Sequence, residues 1–138
     1  MKLLFNRSPR FYRFWFWFCM ILILIVSSVP KLPDPSIELK SFNLILRIDY
    51  ILHFLQYAIL GSLFVLWLGL KNKEFTNRTL IITMIIGIAF ASLDEYHQLY
   101  IPGRRFNPVD MFYNCLGIVS GLTLTVLYFR RMNTKGII

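Results

Sequence analysis

The sequence predicts an all-α fold: an integral membrane four-helix bundle, both termini on the cytoplasmic side, with a polar cluster at the outer leaflet. Three observations carry that expectation. First, 57% of the 138 residues are hydrophobic and only 16% are charged, against about 25% charged in soluble domains. The surface that would keep this chain in water is missing. Second, four long apolar stretches recur along the chain, each close to the ~20 residues that cross a ~30 Å hydrocarbon core. Third, the basic residues are distributed unevenly. Lys2, Arg7, Arg10 and Arg13 precede the first stretch, Lys71, Lys73 and Arg78 separate the second from the third, and Arg130, Arg131 and Lys135 follow the fourth, which puts ten of fifteen on one side. The other side holds Lys31, Lys40, Arg47, Arg104 and Arg105. The positive-inside rule then places both termini in the cytoplasm. Topology therefore explains the net charge of +8. No basic patch is interleaved with stacking aromatics, and no nucleic-acid partner is expected.

The length suits one domain over residues 1–138, without internal repeats. The first helix is expected over about 11–29, where Phe14 to Val29 is extended by Phe11, Tyr12 and a snorkelling Arg13. Lys2, Arg7 and Arg10 before it and Ser27-Ser28 near its end resemble parts of a signal peptide. However, Trp15-Phe16-Trp17-Phe18 is bulky and the apolar run is long for a leader, so a retained helix is expected. The second helix is expected over about 49–70, interrupted only by His53 and Gln56. The third, about 78–100, contains the uncharged run Leu80 to Leu93. At ~1.5 Å per residue that run covers ~21 Å, less than a ~30 Å core. Either the helix begins near Phe75, or Asp94 to Leu99 complete the span. The fourth is expected over about 110–129, with Asn114 as its main polar interruption. Cys19 and Cys115 fall at different depths, which argues against a disulfide and for apolar packing roles.

The chemistry gathers at the outer helix ends. Of the seven acids, Asp49, Asp94, Glu95 and Asp110 fall there, with both histidines, His53 and His97, and with Arg104 and Arg105. Residues three or four apart share a helix face. Asp49, His53, Gln56 and Tyr57 form one stripe, Asp94, His97 and Gln98 a second, and Asp110, Asn114, Gly117 and Gly121 a third. Glu95, about 100° around the helix from Asp94, is expected to point toward headgroups or solvent. An ionised Asp at a helix centre costs about 2.5–3.5 kcal/mol on insertion scales and faces a partner. Arg104 is the expected partner of Asp94, because Pro102-Gly103 ends the helix and turns the chain back. Such a pair would either close the bundle or line a pocket. Gly117 and Gly121 form a GxxxG that would press helix four against a neighbour, and Gly87 with Ala91 offers the same on helix three.

His53, one turn after Asp49, has the makings of an oriented acid/base, with Asp49 or Asp110 as its carboxylate. These three are the catalytic candidates. Tyr57, Tyr96 and Tyr113 supply hydroxyls, but no serine or cysteine sits beside His53. Water would be the nucleophile, in hydrolysis or proton transfer. His53, Asp94, His97 and Asp110 could in principle ligate a metal. No HExxH-type motif supports that, and neither metal nor cofactor is expected. Gln56, Tyr96, His97 and Arg105 read as interfacial or packing residues, and Trp15 and Trp17 as membrane anchors.

Three segments, "DYILHFLQYAILG" at 49–61, "DEYHQLYIPGRRFNPVD" at 94–110 and "NCLGIVSG" at 114–121, resemble the VanZ-like family of small bacterial membrane proteins. The matching positions are Asp49, His53, Phe54, Tyr57, Asp94, Glu95, Gln98, Pro102, Gly103, Arg104, Asp110, Asn114, Gly117 and Gly121. "SSVP" at 27–30 is similar to the end of the family's first helix, and the resemblance runs from about residue 20 to 125. One departure is Tyr50, where the family often has Lys. If that Lys neutralises the preceding Asp, another cation must do so here, and Arg47 is near enough. The name-giving member is linked to resistance to the glycopeptide teicoplanin. The resemblance thus implies a bacterial inner-membrane protein of the cell envelope. Its expected ligand site comprises Asp49, His53, Tyr57, Asp94, Glu95, Gln98, Arg104, Asp110 and Asn114. The expected partners are membrane lipids, in particular an anionic lipid-linked cell-wall precursor or headgroup met by Arg104. The alternative is an enzyme on the same substrate class with His53 as acid/base. A channel or carrier is less favoured, because four short helices leave little room for a pore.

Overall fold

The computed structural model describes residues 7–30, 36–39, 44–72 and 74–134. Four helices dominate: α1 (Pro9–Ser27), α2 (Ile48–Asn72), α3 (Asn77–His97) and α4 (Pro108–Thr134). A short antiparallel ribbon, β1 (Ser36–Leu39) and β2 (Leu44–Arg47), precedes α2, with Ser36 opposite Arg47. All four helices are long and apolar enough to cross a membrane, over 19, 24, 24 and 25 residues.

Local chemistry sets the helix limits. Pro9 stands at the first turn of α1, where its missing N–H removes nothing and its fixed φ favours the helix. Thr76 caps α3 by accepting the Thr79 N–H at 3.2 Å. The ambiguity in the length of α3 resolves at both ends. The helix begins at Asn77 and continues through Asp94 and Glu95 to His97, followed by a 3-10 turn over Gln98–Tyr100. The chain then reverses at Gly103, whose φ of 83° favours a residue without a side chain. Asn107 starts α4, its Oδ1 accepting the Val109 N–H at 3.0 Å, and Pro108 takes the first helical position.

Helix α2 is the centre of the bundle. It packs most extensively on α4 and also contacts α1 and α3, while α3 leans on α4. The α2–α4 seam is backbone against backbone. A Cβ at Gly121 would collide with the Ala58 carbonyl, and one at Gly117 with the Phe54 carbonyl. From the other side, a Cβ on Gly61 would sit 2.8 Å from the Ile118 carbonyl oxygen. Such close approach maximises dispersion contacts, which matter most where lipid tails are as apolar as the protein. Gly87 of α3 faces the Ile118 side chain, where an added Cβ would stand 3.1 Å from Cγ2. Away from the seam the core is aromatic and aliphatic, with Phe16 stacked on Phe64 at 4.5 Å. The outward faces are apolar too: Phe14, Leu93, Phe112 and Leu124 are all more than 60% exposed. A soluble protein would not present such faces, whereas a bilayer solvates them.

Candidate functional site

At one end of the bundle, here termed the polar end, α1 and α3 finish while α2 and α4 begin. Asp94, Glu95, Gln98, Asp110 and Asn114 are all buried there, although each is polar or charged. They fall into a deep group, a rim group and a clasp.

The deep group centres on Asp94. Its Oδ1 accepts the Ser27 hydroxyl at 2.6 Å and its Oδ2 accepts the Tyr57 hydroxyl at 2.9 Å. Three helices thus meet on one carboxylate. Tyr57 is fully buried and Asp94 is 1% exposed, so these bonds form in a low dielectric, where they are strong and their loss is costly. This corrects the expected ion pair, since among the described residues Asp94 and Arg104 form none with each other.

Arg104 instead forms the clasp. Its Nε donates to the Val29 carbonyl at 3.1 Å, Nη2 to the Val26 carbonyl at 3.5 Å, and Nη1 to Gln98 Oε1 at 3.3 Å. The physical reason is that the last carbonyls of a helix have no partner within the helix. A guanidinium at the C-terminal end of α1 adds a second donor to the Val26 carbonyl, which also accepts the Val29 N–H at 3.2 Å, takes the Val29 carbonyl just beyond the helix, and complements the helix dipole. Gln98 holds the fork from α3.

Glu95 is also corrected. The expectation was that it faced headgroups or solvent, yet it is fully buried. The segment after the 3-10 turn folds back over it, and the Asn107 N–H donates to its Oε1 at 2.6 Å. Glu95 thereby anchors the start of α4 to the end of α3. It lies in the field of Asp110, His53 and Asp94.

The rim group joins α2 to α4. His53 Nδ1 bonds Asn114 Oδ1 at 3.0 Å, and Nε2 lies 3.8 Å from Asp110 Oδ2. Of the two carboxylates expected to orient His53, Asp110 is the one beside the ring. The side chains of His53 and Asp110 remain 14% and 12% exposed, so this pair is the accessible edge of the site. Asp49 occupies the first turn of α2, where negative charge suits the helix N-terminus, and it accepts the Tyr50 N–H at 3.0 Å. Tyr50, at the position where Lys was expected, stacks on Tyr113 at 5.1 Å. The expected neutralisation of Asp49 by Arg47 falls on a side chain outside the described residues.

Several buried polar atoms of this end have no hydrogen-bond partner among the described residues: Glu95 Oε2, Gln98 Nε2 and Asn114 Nδ2. One is an acceptor and two are donors. Among the described residues, no three of His, Cys, Asp and Glu gather closely enough to hold a metal ion. Cys19 and Cys115 are free thiols, each half-buried.

Sequence reasoning missed Ser27 as a partner of Asp94, Asn107 as the donor to Glu95, and the α1 carbonyls as acceptors for Arg104. "SSVP" was a signal for the first, and the carbonyl-rich end of any helix for the third. Gly117 and Gly121 lie directly below Asn114 on α4, in the seam with α2.

Comparison with known proteins adds one positive finding. The family model described as VanZ/LLP1 matches residues 13–129. Neither a curated protein nor a solved structure matches the chain.

Proposed function

This chain is a member of the VanZ/LLP1 family, and from that premise we propose that its polar end binds the headgroup of a lipid-linked cell-envelope molecule. In this reading the protein sits in a bacterial inner membrane with both termini cytoplasmic, and the polar end opens to the outer leaflet. The observation that carries it is the accessible His53–Asp110 edge, backed by the buried Glu95 Oε2, Gln98 Nε2 and Asn114 Nδ2, which have no partner among the described residues. A buried polar atom without a partner costs about 1–3 kcal/mol. A ligand that supplies both donors and acceptors would recover that energy.

The charge balance refines the ligand class. Asp94, Glu95 and Asp110 are buried carboxylates, and three of the Arg104 N–H groups are engaged by protein carbonyls. A purely anionic group would meet net repulsion inside. A headgroup rich in hydroxyls or amides suits the interior, with any phosphate held outside it by the remaining Arg104 and Arg105 donors. A lipid-linked cell-wall precursor has that chemistry. Held by such a site it would be less available to a glycopeptide, and susceptibility would change accordingly. The test is titration of the purified protein with a lipid-linked sugar or peptide headgroup. His53→Ala is expected to weaken binding about fivefold, the value of one hydrogen bond of about 1 kcal/mol; unchanged affinity would refute the assignment.

A specific observation also favours an enzymatic reading. When His53 Nδ1–H donates to Asn114 Oδ1, the Nε2 lone pair is left free to take a proton beside Asp110. Water would then be the nucleophile in hydrolysis of the lipid-linked substrate. Turnover lost in His53→Ala, with the melting temperature retained, is the expected signature. Absence of turnover across a broad panel of envelope lipids would count against it.

A further inference from the structure

The opposite end of the bundle holds a second polar recess. Between the end of α2 and the start of α3, a cavity of about 500 Å³ is lined by residues that include Leu68, Lys71, Asn72, Thr76, Arg78 and Ile82. Its walls are fixed. The Glu74 N–H bonds the Gly69 carbonyl at 3.0 Å, closing the end of α2, and Thr76 caps α3. Lys71 and Arg78 are both exposed. Neither forms an ion pair among the described residues, and no carboxylate lines the cavity. Glu74, although in the same turn, is not part of the lining.

We propose that this recess binds the phosphate of an anionic phospholipid, with Arg78 and Lys71 as its cationic contacts. The planar Arg78 fork can engage two phosphate oxygens, while Lys71 adds a point charge. Asn72 and Thr76 supply neutral polar groups around the oxygens. Position selects a lipid over a free anion. The apolar spans run from Asp49 to Asn72 and from Asn77 to Tyr100, so Lys71 and Arg78 stand where headgroups lie. Leu68 and Ile82 form an apolar floor, and Ile85 and Ile86, one turn further along α3 on the same face, are exposed to the acyl region. A phosphate seated between the cations would run its chains down that face. The proposal is independent of any ligand at the polar end.

The probe is native mass spectrometry of the full-length protein in detergent. Phosphatidylglycerol and phosphatidylcholine of identical chains are added in parallel, with inorganic phosphate as a third arm. The wild-type protein is expected to retain phosphatidylglycerol preferentially. Lys71→Gln with Arg78→Gln should reduce that retention by roughly ten- to thirtyfold and leave phosphatidylcholine unchanged. The charge-preserving pair Lys71→Arg and Arg78→Lys should keep the preference, which separates loss of the site from loss of the fold. Equal retention of the two lipids would overturn the proposal, as would a Gln variant that holds phosphatidylglycerol like wild type. So would displacement of the lipid by millimolar phosphate, the mark of a free-anion site.

Discussion

At the scale of the residue, Asp94 decides most. Its carboxylate is shared by the hydroxyls of Ser27 and Tyr57, one from α1 and one from α2. Asp94→Ala would leave the buried Tyr57 hydroxyl unpaired, at about 1–3 kcal/mol, while the Ser27 hydroxyl keeps the Leu24 carbonyl at 3.2 Å as an acceptor. Denaturant unfolding in detergent should register a loss of roughly 1–3 kcal/mol, a sizeable fraction of a typical overall stability. Tyr57→Phe removes only one of the two bonds and should cost about 1 kcal/mol. Because the two changes touch the same bond, the double variant should be no worse than Asp94→Ala alone; full additivity would show that the bond is not shared as described. That Asp94 is buried could be read from the sequence, since it directly follows an uncharged run too short to span a bilayer. Its partners could not. They lie 67 and 37 residues away, and nothing local distinguishes the hydroxyl of Ser27 from that of Ser28. Arg104 looked like the partner because charge attracts charge. The Val26 and Val29 carbonyls at and just beyond the end of α1 compete for the same guanidinium, and the turn geometry delivers it to them.

At the scale of the element, two features govern how the helices hold together. The α2–α4 seam depends on the absence of side chains at Gly117 and Gly121. Gly121→Leu would force the backbones apart. Overpacking costs typically about 1–3 kcal/mol and occasionally more, and collision with a backbone carbonyl puts this case at the upper end. We expect a sharply lowered melting temperature for Gly121→Leu. Ser120→Leu, half-buried beside it, should have a much smaller effect. The second feature is the clasp. Arg104→Lys keeps the charge but loses the fork, so it cannot hold Val26, Val29 and Gln98 together. Hydrogen exchange should therefore rise in the last turn of α1 in Arg104→Lys while the α2–α4 seam stays protected. Exchange unchanged at 26–30 would contradict the clasp. The four helices were legible because uncharged length alone announces them in a membrane protein. The way the chain folds over Glu95 was not legible. Periodicity places Glu95 off the Asp94 stripe, and it takes the incoming backbone of Asn107 to bury it.

At the scale of the whole molecule, the two ends of the bundle differ in charge. The polar end collects Asp49, Asp94, Glu95, Asp110 and both histidines, while the basic end holds Arg7, Arg10, Lys71, Arg78, Arg130 and Arg131. The charge asymmetry predicts an orientation. In a background of Cys19→Ala and Cys115→Ala, a membrane-impermeant maleimide should label Arg105→Cys in intact cells and label Ser8→Cys only after the membrane is opened. The reverse pattern would turn the bundle over and place the polar end in the cytoplasm. The family and the bundle were visible in the sequence because the motif residues keep their order and spacing across three helices. The division of the polar residues into a sealed Asp94 group, an accessible His53 edge and a clasp was not visible. Each depends on depth and rotation that spacing along one helix leaves open.

The central claim is that the polar end holds a lipid-linked headgroup through the His53 edge. Native mass spectrometry of the gently extracted protein tests it most directly. We predict a co-purifying lipid with a hydroxyl- or amide-rich headgroup on the wild-type protein. It should be lost from the His53→Ala and Asn114→Ala variants and retained when Lys71 and Arg78 are changed to Gln. The same adducts on all of these proteins, or none on the wild type, would contradict it.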